Sequence, residues 1–388
     1  MASKKKQTVR PARRPGFYYY DYNLLACVIL LTCFGLVMLY STSAYQAVQG
    51  GESDMFYFGK QAAISAVCVV VMLIFSQFDY HFYLKFSGAA YVAANALLVI
   101  TRFIGRESNG ATRWIYIGPL SFQPAEFAKV AVIMYVTVVI CKLGKNLKGV
   151  KAPLIVTCFG LFTSALTLVF TQNLSTAIII AGITVAMVFV AHPKSKLFLA
   201  VAGGGLAALI IGIRLSVPWL EQMAESNFRL RRLLVWLDPE KYSAEGGYQT
   251  LQALYAIGSG GFFGKGLGNS TQKLSALPEA QNDMIFSIIC EELGVFGAAL
   301  LTLLFIFLLY RLLFIAQNAP DLAGSLMVTG IFAHIALQVM LNIMVVTNVI
   351  PNTGIILPFV SYGGTSIVFL MAEMTLALSV SRQIRLED

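Results

Sequence analysis

The stretch LPEAQNDMIFSIICEELG, Leu277 to Gly294, holds four carboxylates: Glu279, Asp283, Glu291 and Glu292. It opens polar and turns apolar at MIFSII, so Asp283 stands at the boundary. Two chemistries suit an acid placed there. As an N-cap it would accept from the first free amides of a helix, a role Asp often fills. Partly buried, it would carry a raised pKa and serve as a general base. Glu291 and Glu292 lie two turns deeper, where an acid needs a polar cavity or a partner on another helix. A second acid–base pair, Glu126 and Lys129, sits in PAEFAKVAVIMY. Three residues apart, the two share one helix face. They read either as a structural ion pair or as the lining of a substrate cavity.

Cations gather in the connecting segments. NFRLRRLLVWLDPEKY carries Arg229, Arg231 and Arg232, and the glycine-rich GSGGFFGKGLGNSTQK carries Lys265 and Lys273. Arg106, Arg113 and Trp114 fall in and around NGATRWIYIG. An anionic ligand such as a phosphate would account for these charges. The plain alternative is that long loops cross a membrane whatever their charge, with Trp114 an interfacial anchor. Leu230, Leu233, Leu234 and Leu237 share a helical face between the arginines, which suits a segment lying in the interface. The glycine stretch is not a nucleotide-binding P-loop: Ser259 stands at the required first Gly, and Gly266 follows Lys265 where Ser or Thr is needed. It reads as a compact loop against the membrane, its lysines available to an anion. NVIPNTGIILPFVSYGGTS, which contains Ser361, reads as irregular backbone at membrane depth. His81, His192 and His334 are isolated in sequence, and the six cysteines show no metal or disulfide spacing.

These residues must be held by membrane helices. Of 388 residues 57% are hydrophobic and 12% charged, against about 25% charged in soluble domains, and the mean hydropathy is +0.74. Ten runs are long enough to cross a bilayer core of about 30 Å: 22–43, 58–78, 83–102, 124–142, 152–171, 174–192, 197–217, 284–313, 322–347 and 355–380. The fold class is therefore an all-α polytopic membrane protein, with a basic tail at 1–20, a membrane domain at 21–388 and a long loop at 218–283. Lys4, Lys5, Lys6, Arg10, Arg13 and Arg14 precede the first run, and Lys142, Lys145, Lys148, Lys151, Lys194, Lys196, Arg382 and Arg385 fall on the same side. The positive-inside rule makes that side cytoplasmic, with both termini on it. The net charge of +9 follows this distribution and does not call for nucleic acid.

GATRWIYIGPLSFQPAEFAK, GYQTLQALYAIGSGGFFGKGLGNSTQK, LPEAQNDMIFSIICEELG and PNTGIILPFVSYGGTS resemble the signature segments of the SEDS family (shape, elongation, division and sporulation), the FtsW, RodA and SpoVE proteins. The FtsW and SpoVE branches look nearer than RodA. The resemblance implies a peptidoglycan glycosyltransferase that polymerises lipid II on the outer face of the bacterial cytoplasmic membrane, in division or sporulation. It implies a class B penicillin-binding protein as partner, alongside other divisome proteins. It makes Asp283 the essential acid. Trp114, Arg113, Arg106, Glu126, Lys129, Arg229, Arg232, Lys265, Lys273, Glu279 and Ser361 become candidates for contact with substrate. No cofactor is fixed; Mg²⁺ or Mn²⁺ could help neutralise the pyrophosphate. Asn173, in QNLST, stands where the family often has an acid. A lipid II flippase and a non-catalytic divisome scaffold are the rival readings.

Overall fold

A computed structural model of the protein describes residues 19–108, 111–118, 120–144, 147, 149, 151–192, 228–274 and 277–385. The chain is an α-helical multi-pass membrane protein. Among the described residues nine helices are long and apolar enough to span a bilayer. They are α1 (Tyr22–Gln49), α2 (Phe56–Phe75), α4 (Ser87–Ile104), α5 (Pro124–Leu143), α6 (Lys151–Phe170), α7 (Leu174–Ala191), α10 (Ile285–Asn318), α11 (Leu322–Val346) and α12 (Gly364–Ser381). Short helices α3 (Tyr80–Lys85), α8 (Phe228–Leu237) and α9 (Gly247–Ser259) fill connections. The seventh expected span, 197–217, lies outside the described residues, as do most of the basic residues used to orient the chain.

Local chemistry sets the helix ends. Pro124 occupies the first turn of α5, where its missing N–H is no loss. Asn173 caps α7, its side chain accepting from the Thr176 amide at 3.1 Å. Asp321 caps α11 through the Gly324 amide at 2.7 Å. Spans α5 and α12 are the most enclosed and α2 the least. The outward faces carry exposed Leu30, Val67, Leu161 and Phe307, as expected where lipid tails replace water.

Three features depart from the sequence reading. The 103–123 connection contains a three-stranded antiparallel sheet, β1 (Arg106–Ser108), β2 (Ala111–Ile117) and β3 (Leu120–Phe122), inside a chain expected to be all helix. The last span begins at Gly364 and not 355, because segment 350–363 stays irregular. The eighth span is broken at Gly294, which sits at φ 67°, ψ −168°.

That break explains the glycine-rich loop. Val295 and Phe296 donate their amides to the Gly261 and Phe262 carbonyls at 3.0 Å each, and the Lys265 and Gly266 amides return bonds to the Glu291 and Glu292 carbonyls at 2.9 Å each. The loop therefore supplies the backbone partners that α10 loses, which a segment at membrane depth cannot leave open. A methyl on Gly264 would meet the Glu292 carbonyl oxygen at 2.2 Å, so only glycine lets the two backbones approach.

The two ends of the chain meet. The Tyr19 amide donates to the Ile384 carbonyl at 3.1 Å, and Asp21 pairs with Arg311 at 2.7 Å. At this same end His81 is gripped by Asp79 and Asp321, each at 2.8 Å, and stacks on Tyr80. Hydrogen bonds to these two carboxylates, and their charge, outweigh desolvation and raise the His81 pKa above 6.5. The folded state then binds a proton more tightly than the unfolded one. The stabilisation is complete below about pH 6.5 and is lost as pH rises through the elevated value. We expect Tm in detergent to decline over that interval, and His81→Gln to flatten the decline. Parallel pH curves for the two proteins would contradict it.

Candidate active site

Asp283 is carried by a turn spanning 277–284 that lies just before α10. The turn is irregular. Glu279 adopts φ 57°, a left-handed conformation uncommon outside glycine, and its carbonyl accepts from the Asn282 amide at 2.9 Å. The Asn282 side chain also donates to the Glu279 carboxylate. The N-cap of α10 is Met284, with no side-chain capping bond. Asp283 is thus not the cap, and the capping alternative falls.

The Asp283 side chain is buried, and its Oδ1 has no hydrogen-bond partner. Burial, reinforced by the Glu279 carboxylate, pushes its pKa up to about 7, with Arg232 pulling in the opposite direction. A carboxylate half-ionised near neutrality is matched to general-base work. Gly354 faces it: a methyl there would stand 3.8 Å from Asp283 Oδ2.

The wall around Asp283 comes from segment 348–362. Trp236 of α8 donates to the Asn348 carbonyl at 3.1 Å, and Arg232 to the Asn352 carbonyl at 3.3 Å. Asn352 donates to the Gln249 side chain of α9 at 2.9 Å. Ser175 of α7 donates to the Thr353 carbonyl at 2.5 Å. The Tyr362 amide donates to the Gln281 carbonyl at 2.9 Å. On helix α8, Leu234 and Val235 are buried, and Leu234 packs with Leu233 and Tyr242 in a small cluster of its own. The Arg229 and Arg231 side chains lie outside the described residues.

The remaining candidates divide. Arg232 comes close enough to act electrostatically on Asp283. Arg113 donates to the Gln172 carbonyl at 3.2 Å, tying β2 to the turn before α7. Trp114 is half-buried in β2, opposite Arg106 in the strand register. The Arg106 guanidinium lies over the Tyr116 ring at 5.2 Å. The Ser361 hydroxyl accepts from the Leu357 amide at 2.8 Å and closes a turn.

Lys265 and Lys273 are not open to an anion in the way their sequence position suggests. Lys265 Nζ lies 2.7 Å from Glu291, and Lys273 Nζ 2.6 Å from Glu292. Ser41 of α1 binds both Glu292, at 2.7 Å, and Lys273, at 2.9 Å. The two deep glutamates therefore neutralise the loop lysines at the α10 break.

Glu126 and Lys129 pair at 2.8 Å and are both buried. The structure extends the pair into a row that sequence reasoning missed. Lys129 donates to Gln338 Oε1 at 3.2 Å, His334 Nε2 faces the same oxygen at 2.7 Å, and His334 Nδ1 meets Glu373 at 2.8 Å. Gln338 Nε2 donates to the Ile356 carbonyl at 3.1 Å, which fixes the amide orientation. His334 Nε2 must then be a donor. The only hint in the sequence was three polar residues at helical spacing in α11.

Residues 21–386 match the model of the FtsW, RodA and SpoVE family, described as cell cycle proteins. Stage V sporulation protein E of Bacillus subtilis (strain 168) is 36% identical over 367 residues, covering 94% of this chain and 98% of that protein. A probable peptidoglycan glycosyltransferase FtsW of Geobacter sp. (strain M18) is 33% identical, covering 94% of this chain and 98% of its own length. A chain from a solved peptidoglycan synthase complex, described as coordinating polymerization and crosslinking, superposes with a TM-score of 0.76 at 26% identity, covering 94% of this chain and 98% of that one. By sequence along nearly its whole length and by fold, this chain belongs to the FtsW/RodA/SpoVE family.

Proposed function

We propose that this chain is a peptidoglycan glycosyltransferase that polymerises lipid II, with Asp283 as its general base. The observation that carries the reading is a buried carboxylate at the end of a membrane span whose Oδ1 has no hydrogen-bond partner, where burial and the Glu279 carboxylate push the pKa up to about 7. A base there can reach a sugar whose lipid tail stays in the bilayer. Asp283 takes the proton of the acceptor sugar's 4-hydroxyl as that oxygen attacks the donor's anomeric carbon. The bond to undecaprenyl pyrophosphate breaks, and the pyrophosphate carries away the electron pair. A single displacement of this kind inverts the anomeric centre.

Arg232 is the cation best placed for the leaving pyrophosphate, with Arg229 beside it in sequence and Arg106 and Arg113 on the neighbouring sheet. The paired Lys265 and Lys273 instead hold the glycine loop. Among the described residues no group of three or more His, Cys, Asp or Glu side chains converges as a metal site. A divalent ion would have to be held mainly by the substrate's phosphates. The Asp283 end of the bundle is the outer face in this reading, which leaves both termini cytoplasmic. The partner is a class B penicillin-binding protein, in keeping with the synthase-complex neighbour, with other divisome proteins around it.

One observation favours the rival transport reading: the buried ionisable row from Glu126 to Glu373 crosses the bundle interior. The two readings separate in one experiment. Purified protein incubated with lipid II yields glycan ladders on a gel if it polymerises, with a larger yield when the penicillin-binding partner is added. Labelled lipid II crossing a vesicle bilayer without ladders would favour transport.

A further inference from the structure

The amide of Asn342 stitches the two sides of the Asp283 pocket together. Its Nδ2 donates to the Asp283 carbonyl at 2.9 Å and to the Ile355 carbonyl at 2.6 Å. Asn342 is fully buried in α11, and its Oδ1 has no partner. The orientation is not arbitrary, since a flipped amide would turn an oxygen toward two carbonyl oxygens. Gln338, one turn earlier on the same face, holds the next carbonyl, that of Ile356, at 3.1 Å. Two stacked amides on one rigid helix thus grip consecutive carbonyls of the irregular segment, and the upper one also grips Asp283.

The turn carrying Asp283 is closed locally on the Glu279 carbonyl, by the Asn282 amide at 2.9 Å and more loosely by the Met284 amide at 3.4 Å, and the Gln249 side chain donates to the Pro278 carbonyl at 3.2 Å. The Tyr362 amide holds Gln281, two residues earlier. Asn342 is therefore the side-chain tie on the acid's own backbone, and it fixes the spacing between Asp283 and the Gly354 wall.

We propose that Asn342 is a positioning residue for the glycosyl-transfer step, holding Asp283 and segment 353–356 at the separation the acceptor sugar requires. This rests on the reading of Asp283 as the base. Without the Nδ2 donor two buried carbonyls lose their partner, and the turn relaxes toward solvent. A displacement of about 1 Å at a reacting group can cost about 100-fold in rate. A better-solvated carboxylate is also a weaker base.

The test is lipid II polymerisation by the full-length Asn342→Leu and Asn342→Ser proteins, with rates normalised to lipid II binding capacity. The expected result is a kcat lower by about 10- to 100-fold, a KM near wild type, and an acidic limb of the pH–rate profile moved to lower pH. The serine variant leaves room for a bridging water, so it decides the matter if the leucine variant does not fold. Wild-type kcat and an unmoved limb in folded variants would overturn the proposal. So would losses that vanish on normalisation, since those report only folding. Asp283→Asn run in parallel separates the two claims. If it stays active, the base assignment fails. If it is inert while the Asn342 variants match wild type, only the positioning role fails.

Discussion

Replacing Asp283 with Asn is expected to abolish glycan polymerisation while the bundle stays folded and still binds lipid II. A positioned base typically contributes about 10²–10⁴-fold to rate, and an amide cannot accept the acceptor sugar's proton. Asn would substitute well for an N-capping Asp, but the structure gives the cap to Met284. The stability arm of the prediction has a definite sign. The Asp283 pKa rises from 3.8 to about 7 on folding. The native state therefore holds a proton that the unfolded chain releases across that window, and stability falls as pH rises through it. Asn removes this penalty, so Tm at pH 8 should equal or exceed that of wild type. Lipid II binding, Tm and ladder formation measured on the same preparation check all three parts. Substantial polymerisation by the variant would remove Asp283 from the chemistry.

The second large effect is expected at Glu126 and Lys129. Each is buried, and the pair is close at 2.8 Å. Breaking a buried pair by removing one partner leaves a charge without compensation, at about 3–5 kcal/mol. Glu126→Gln and Lys129→Met should each lower stability by an amount of that order. The double variant should be milder than either, because it buries no lone charge. Thermal or denaturant unfolding of the four proteins gives the coupling energy directly, and additive losses would refute the pairing. A double variant that folds well yet makes no glycan would show that the row running through Gln338 to His334 and Glu373 also supports the site. Gln338 is the link in that case, since it bonds both Lys129 and the Ile356 carbonyl beside the Asp283 pocket.

How much of this was legible in the sequence depended on the range of the interaction. Nine of the ten expected membrane spans were legible, because a bilayer demands long apolar runs. Asp283 and Glu279 stood out because charge is rare in such a chain. The sheet at 106–122 was hidden: two of its strands have only three residues, and ATRWIYI in the third does not alternate apolar with polar. The Lys265–Glu291 and Lys273–Glu292 pairs were hidden too. They exist only because α10 opens at Gly294 and the glycine loop fills the gap, which no local pattern announces. His334 looked isolated because its partner Glu373 lies on another helix. Asn342 gave no signal, since a lone Asn in an apolar span reads the same whether it grips a catalytic turn or merely faces a neighbour.

The pH dependence of polymerisation by the unmodified protein tests the role of Asp283 most directly. Purified chain, lipid II and a gel readout of glycan length, taken from pH 5.5 to 8.5, report the ionisation of the group that accepts the proton. A base must be ionised to act, so the rate should be near its plateau at pH 8 and fall about tenfold per pH unit below about 7, the value to which burial and Glu279 bring Asp283. A rate that stays level down to pH 5.5, or ladders absent at every pH while lipid II crosses vesicle membranes, would contradict it.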